Sequence, residues 1–184
     1  MAVSASIVPH LDQLLPDGRW TVDSSRSRVV FNVRKLGAGT VRGRFAGATG
    51  NLTVEGGRAS ASGSVRVAGI ATGNDERDDH LRAAGFFDAE AYPEITFVSR
   101  SIEPDHDGKL RVCGDLSIRG RTREIEFVAS VVGASNDEPR MHVRGEIDRR
   151  DFGLTWNRAI EATGIVSTTV RIDLHLQLES RVGA

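Results

Sequence analysis

The amino-acid sequence predicts an all-β protein: one antiparallel barrel of about eight strands with a short helix at one rim. Three observations predict it. Apolar residues recur in twos along most of the chain, the period of a strand with one dry and one wet face. Turn-forming residues separate these runs at Gly56-Gly57, Asp105 to Gly108, Gly120, and Gly133 to Pro139. Glycines also stand inside the runs, among them Gly43, Gly47, Gly50, Gly63, Gly114 and Gly145. Glycine lets a strand bend and coil tightly, which favours a closed barrel over a sandwich.

Each run repeats the pattern. Val29, Phe31 and Val33 point one way, with Arg28, Asn32 and Arg34 on the polar face. Ile95 and Phe97 flank Thr96. Leu110, Val112, Gly114, Leu116 and Ile118 alternate with polar neighbours, and Ile125, Phe127, Ala129 and Val131 do the same in the next run. Met141, Val143, Gly145 and Ile147 alternate with His142, Arg144, Glu146 and Asp148. The last run is the clearest: Val166, Thr168, Val170, Ile172, Leu174, Leu176 and Leu178 face one side, and Arg171, Asp173, His175, Gln177 and Glu179 the other.

One segment breaks the period. Asn74 leads into Asp75-Glu76-Arg77-Asp78-Asp79-His80-Leu81-Arg82-Ala83-Ala84, with acids in the first turn, Arg82 near the end and Gly85 at the terminator position. That order predicts the short helix. No repeat, linker or low-complexity tract divides the chain. Residues 1–18 are expected to form an arm or short helix packed outside a barrel over 19–180.

Composition narrows the function. The 184 residues are 39% hydrophobic and 27% charged, an ordinary globular balance. The formal net charge is −1, and 25 acids are interleaved with the 24 basic residues, so no basic block marks a nucleic-acid partner. Cys113 is the one cysteine, which excludes an intrachain disulfide and a cysteine-based metal site. The first fifteen residues lack the basic start and unbroken apolar middle of a secretory signal, so a cytoplasmic protein is expected. No run reaches the roughly 20 apolar residues of a membrane-spanning helix, and no stable membrane insertion is expected.

Catalytic and cofactor motifs do not emerge. Gly37-Ala38-Gly39-Thr40-Val41-Arg42 has Arg42 where a dinucleotide loop needs its third glycine, and no βαβ unit surrounds it. There is no phosphate loop of the GxxxxGK type and no GxSxG elbow. None of the five histidines has a second histidine at a recognised ligand spacing, so neither a metal nor a cofactor is expected. Two clusters stand out. In Arg77-Asp78-Asp79-His80-Leu81, either Arg77 and Asp78 pin the helix to the barrel, or Arg77 and His80 meet the polar end of a ligand. In Asp151-Phe152-Gly153-Leu154-Thr155-Trp156, the residues Phe152, Leu154 and Trp156 share a face, as core or as the wall of a hollow.

The chain resembles the YceI-like, or polyisoprenoid-binding, family from about Gly18 to Glu179. The resemblance begins with Trp20-Thr21-Val22-Asp23, Ser27-Arg28-Val29-Val30-Phe31-Asn32-Val33 and Val41-Arg42-Gly43-Arg44-Phe45. Its most specific stretch is Arg77-Asp78-Asp79-His80-Leu81-Arg82, followed by Phe86-Phe87-Asp88 and Tyr92-Pro93-Glu94-Ile95-Thr96-Phe97. Gly114-Asp115-Leu116-Ser117-Ile118-Arg119-Gly120 and Asp151-Phe152-Gly153-Leu154 complete it. It implies a lipocalin-like eight-stranded antiparallel barrel around a long apolar cavity, without enzymatic activity, that binds or carries an isoprenoid-type amphiphile such as a polyprenyl phosphate or a quinone. On that basis Phe31, Val33, Phe45, Phe97, Leu116, Phe127, Phe152, Leu154 and Trp156 are the expected wall. Leu81, Phe86 and Phe87 are expected to close one end, with Arg77 and His80 at the head group. Two rivals make different predictions. A lipid-acting hydrolase using His80 with Asp78 or Asp79 needs His80 to face the cavity. A filled barrel serving as a structural or partner-binding module, or as a homodimer through a strand edge, needs no cavity.

Overall fold

The structure is a computed structural model that describes residues 11–37, 39–133, 138–156 and 158–181. Fourteen regular elements follow in chain order. They are α1 (Leu11–Leu14), β1 (Gly18–Val22), β2 (Arg28–Lys35), β3 (Gly39–Phe45), β4 (Thr49–Glu55), β5 (Arg58–Arg66), β6 (Ile70–Ala71) and α2 (Asp75–Arg82). Then come β7 (Glu94–Pro104), β8 (Lys109–Ile118), β9 (Arg121–Val132), β10 (Arg140–Asp148), α3 (Arg158–Thr163) and β11 (Val166–Ser180).

Eight strands close a ring in the order β1-β4-β5-β7-β8-β9-β10-β11, and β11 returns to β1. Every pairing is antiparallel. The length of β11 makes closure possible. It pairs with β10 from Thr169 to Gln177, while its other edge divides between two partners. Leu178–Ser180 pair with β1, and Val166–His175 pair with β2. The strands β2, β3 and β6 thus extend the wall beyond the ring at one end. Between β1 and β2 the chain turns around Asp23, whose carboxylate accepts from the Ser25 N–H and Oγ and from the Arg26 guanidinium. Arg26 in turn reaches Glu138 and Glu179, tying the turn to the end of β11.

Two apolar clusters sit at the two ends. The lower one joins α1 to the wall: Leu11 and Leu15 pack with Trp20, Leu52, Val54, Leu110, Ala129 and Leu178. The segment expected as an arm or short helix contains the short helix α1, and it does not stand apart from the barrel: Leu11 and the fully buried Leu15 just after the helix pack into the lower core. Residues 1–10 of that arm lie outside the described residues. The upper cluster joins Val67, Ile70, Leu81, Phe86 and Phe87 to Leu116, Ile118, Ile147, Phe152 and Leu154.

The helix α2 forms as its residues dictate. The Asn74 side chain accepts from the Arg77 N–H at 2.8 Å, and Asp75, Glu76 and Asp78 occupy the first turn. It ends at Arg82, three residues before Gly85, because Ala83 leaves the helix and caps it with an N–H to the Asp79 carbonyl. Arg82 holds the helix to the wall by donating to the Ala68 and Ile70 carbonyls. No helix among the described residues is long and apolar enough to cross a membrane.

Candidate ligand-binding cavity

Between the two apolar clusters the barrel is hollow. Val170, Ile172, Leu174 and Leu176 of β11 all point inward, yet each is only half-buried. In a filled barrel such residues would be closed off, because protein interiors pack to crystal-like density. Here they border a cavity of about 830 Å³. That volume lies inside the roughly 300–1,000 Å³ range of small-molecule sites.

Three glycines explain how aromatic residues line this space without filling it. A Cβ on Gly43 would lie 2.1 Å from the Phe31 ring; one on Gly114 would lie 2.6 Å from Phe97, and one on Gly145 2.3 Å from Phe127. Each ring therefore lies over a bare stretch of backbone on the neighbouring strand. The rings Phe97 and Phe127 meet edge to face at 5.6 Å in mid-barrel. A second aromatic series runs to the upper end: Phe31–Phe45 at 5.4 Å, Phe45–Phe87 at 5.9 Å, Phe87–Phe86 at 5.2 Å and Phe86–Trp156 at 4.7 Å.

Few polar groups interrupt the wall. Arg77 and Thr72 face the cavity at the upper end. Asp78, buried beside them, accepts from the Thr72 N–H at 3.0 Å and from its hydroxyl at 2.5 Å. Arg77 donates to the Thr72 hydroxyl at 2.7 Å and to its carbonyl at 2.9 Å. Burial works to raise the Asp78 pKa, but the Thr72 hydrogen bonds and the charges of Arg82 and Arg77 outweigh it and hold the carboxyl below its ordinary range. The third guanidinium nitrogen of Arg77, Nη1, donates to no described residue. Trp156 also lines the cavity, and its buried indole N–H has no hydrogen-bond partner among the described residues.

Arg149 builds the other side of this end. It is buried and donates to Glu161 at 2.7 Å and to the Leu154 carbonyl at 2.8 Å, with further bonds to Ser167 and Val166 carbonyls. Glu161 also accepts the Trp156 backbone N–H at 2.7 Å, which anchors the stretch of chain that carries the indole. The Arg149 hydrogen bond overrides burial and keeps Glu161 below the usual carboxylate range. Where β2, α3 and β11 meet, the cavity reaches Lys35, Thr163 and Ile165; the last two are exposed, and this end forms its mouth.

The structure brings most of the predicted site together. Phe31, Val33, Phe45, Arg77, Leu81, Phe86, Phe87, Phe97, Leu116, Phe127, Leu154 and Trp156 border the cavity. Two residues do not. His80 is exposed on α2 and does not line the cavity, because the helix turns Arg77 and Leu81 toward the barrel and His80 away. Phe152 is buried in the upper cluster, behind the wall. Asp78 is committed to Thr72, so the hydrolase arrangement around His80 finds no geometry at the cavity. The hollow interior likewise removes the filled-barrel reading. Sequence reasoning left out the β11 wall residues as site residues, although their alternation marks them. It had no signal for Arg149 and Glu161, which α3 brings together.

Comparison with known proteins places this architecture. The profile of the YceI-like domain matches residues 20–178. A UPF0312 protein of Staphylococcus aureus (strain MSSA476) is 29% identical over 158 residues, covering 80% of this chain and 88% of that protein. A UPF0312 protein of Vibrio cholerae serotype O1 (strain M66-2) is 28% identical over 187 residues, covering 96% and 95%. Among solved structures, Burkholderia cenocepacia BcnA is similar with a TM-score of 0.77 and 25% identity, over 85% of this chain and 98% of that one. A polyisoprenoid binding domain from Saccharophagus degradans, implicated in plant cell wall breakdown, has a TM-score of 0.71 at 21% identity, over 88% and 98%. With its strands, its closure and nearly its whole barrel inside the matched region, the chain belongs to the YceI-like family.

Proposed function

We propose that this protein binds and carries, without enzymatic activity, an isoprenoid-type amphiphile such as a polyprenyl phosphate or a quinone. The observation that carries the reading is the hollow of about 830 Å³ with an almost entirely apolar wall. Membership of the YceI-like family and the fold shared with a polyisoprenoid binding domain support it.

Magnitudes favour a chain of several units over a small apolar molecule. Burial contributes about 0.8 kcal/mol per CH₂, so a five-carbon unit contributes roughly 4 kcal/mol. Association costs about 4–15 kcal/mol in lost freedom. One unit only offsets the lower figure, whereas several exceed it. The apolar wall supplies affinity but little discrimination. Discrimination falls to the few polar groups of the upper end, Arg77 for an anionic head and the Trp156 N–H for an oxygen acceptor.

The test is native mass spectrometry with organic extraction of the protein purified from its own cells. A stoichiometric co-purifying isoprenoid or quinone is expected. A clean apo mass, with no uptake of added polyprenyl phosphate, quinone or fatty acid, overturns the reading.

A further inference from the structure

A second cluster lies on the opposite face of the wall. The pairing of β10 with β11 sets His142 directly opposite His175 and Arg144 opposite Asp173. Side chains two apart on a strand share a face, so Asp173 and His175 both point outward while Ile172, Leu174 and Leu176 line the cavity. The two imidazoles stack with centroids 4.2 Å apart and planes at 18°. Both lie near one oxygen: Asp173 Oδ1 is 2.5 Å from His142 Nε2 and 3.2 Å from His175 Nε2. All three atoms lie within 4.8 Å of one another.

Hydrogen bonds to Asp173 as a carboxylate acceptor do not account for this arrangement. The Arg144 Nε–H points at His142 Nε2 from 3.1 Å, which requires a lone pair on that nitrogen. The Asp173 oxygen faces the same nitrogen at 2.5 Å, which requires a proton there. No tautomer or protonation state of His142 satisfies both contacts. A cation held between the lone pairs of His142, His175 and Asp173 accounts for the approach of both imidazole nitrogens to Asp173, though not for that of Arg144.

We propose that His142, His175 and Asp173 form a binding site for a borderline divalent transition metal such as zinc, on the outside of the barrel. The donor set selects the class: two imidazoles and one carboxylate suit zinc, nickel or copper, whereas calcium and magnesium require oxygen ligands. The spacing fits. Ligand bonds of roughly 2.0–2.2 Å place the donors of a tetrahedral site about 3.3–3.5 Å apart. The His175–Asp173 distance of 3.2 Å is close to that edge, His142 must retreat from Asp173 by less than about 1 Å, and the two rings, stacked at 18°, must turn so that their in-plane lone pairs meet on the ion. His142 is the more buried ligand and His175 the more exposed, so the remaining coordination position opens to water. Arg144 is the opposing group. Its guanidinium competes for the His142 lone pair and must swing aside, while Arg28, across from His175 on β2, adds a second positive charge. Arg171 on the same face is already neutralised by Glu146. No histidine spacing announces the site, because the ligands come from two strands and only their register joins them.

The test is isothermal titration of the tag-free full chain with Zn²⁺ alone, then with Ni²⁺. One ion per chain is expected, bound in the roughly micromolar range. His142→Ala, His175→Ala and Asp173→Asn should each weaken binding by at least the tenfold or so that an outer-shell partner costs. Arg144→Gln should tighten it several-fold, which incidental surface binding would not do. Zinc should raise the Tm of the wild type and not of His175→Ala; the zinc-free melt of that variant shows that it folds. Absence of binding up to about 1 mM Zn²⁺ overturns the proposal. So does unchanged binding by a chain carrying both His142→Ala and His175→Ala. The cavity lies on the other side of the wall, so these outcomes are independent of lipid uptake.

Discussion

Gly43, Gly114 and Gly145 act through the Cβ they lack. Each lets a phenylalanine lie flat against the wall, and the width of the lumen depends on it. Gly145→Val is expected to push the Phe127 ring inward, at about 1–3 kcal/mol for an overpacked site. Lipid uptake should fall by more than the loss in stability explains, as read by comparing ligand titration with the thermal melt. Trp156 matters for its N–H. An unpaired buried donor costs about 1–3 kcal/mol until something accepts from it. Trp156→Phe keeps a ring against Phe86 but removes the donor. Ligands ending in a carbonyl or phosphate should therefore weaken toward the affinity of a plain hydrocarbon of equal length, in paired titrations of the two ligand types.

At the scale of elements, α2 and α3 form the upper end, and each is fastened by a buried ionised group. Asp78 holds Thr72 just before α2, and Arg149 holds Glu161 of α3. Both carboxyls are held below their ordinary values. Their contribution is therefore complete above the unfolded carboxylate range, about pH 4, and is lost as pH falls through and below it. Asp78→Asn should cost about 1–3 kcal/mol at neutral pH, because the Thr72 N–H and hydroxyl lose an ionised acceptor. Denaturant melts from pH 7 down to pH 3 should show a shallower fall in stability for this variant than for the wild type. An equal fall in both would show that Asp78 does not act through its charge.

The α2 segment also shows how much the sequence reveals at this scale. Its cap, its acids and Arg82 were legible because helix ends are governed by residues close in sequence. The exposed position of His80 was not, because the docking of α2 against β6 and the Phe86–Phe87 segment decides which side faces the lumen. The packing of Leu11 and Leu15 into the lower core was hidden for the same reason. Leu11, Leu14 and Leu15 do not say whether they cover a wall or close an end.

At the scale of the whole molecule, the barrel is a shell with a packed lower end, an upper end that opens where β2, α3 and β11 meet, and a hollow middle. Filling that middle should abolish function without abolishing the fold. Leu174 lines the lumen and is only half-buried, although it packs against the lower cluster. Leu174→Trp should remove lipid uptake while leaving the apo melting temperature nearly unchanged. Conversely, ligand at about 100 times its Kd should stabilise the wild type by roughly 2.7 kcal/mol, visible as a rise in Tm that the filled variant lacks.

The sequence by itself determined an antiparallel barrel, the helix α2, and the dry face of β2 and of β7 to β11, because these follow from residues two to four positions apart. The tertiary structure alone decided that the dry faces do not meet, that β11 divides its edge between β1 and β2, and that His142 stands beside Asp173 and His175. Alternation reports which side of a strand avoids water. It carries no information on the distance to the opposite wall or on the register between strands, and those two quantities create both the cavity and the outer cluster.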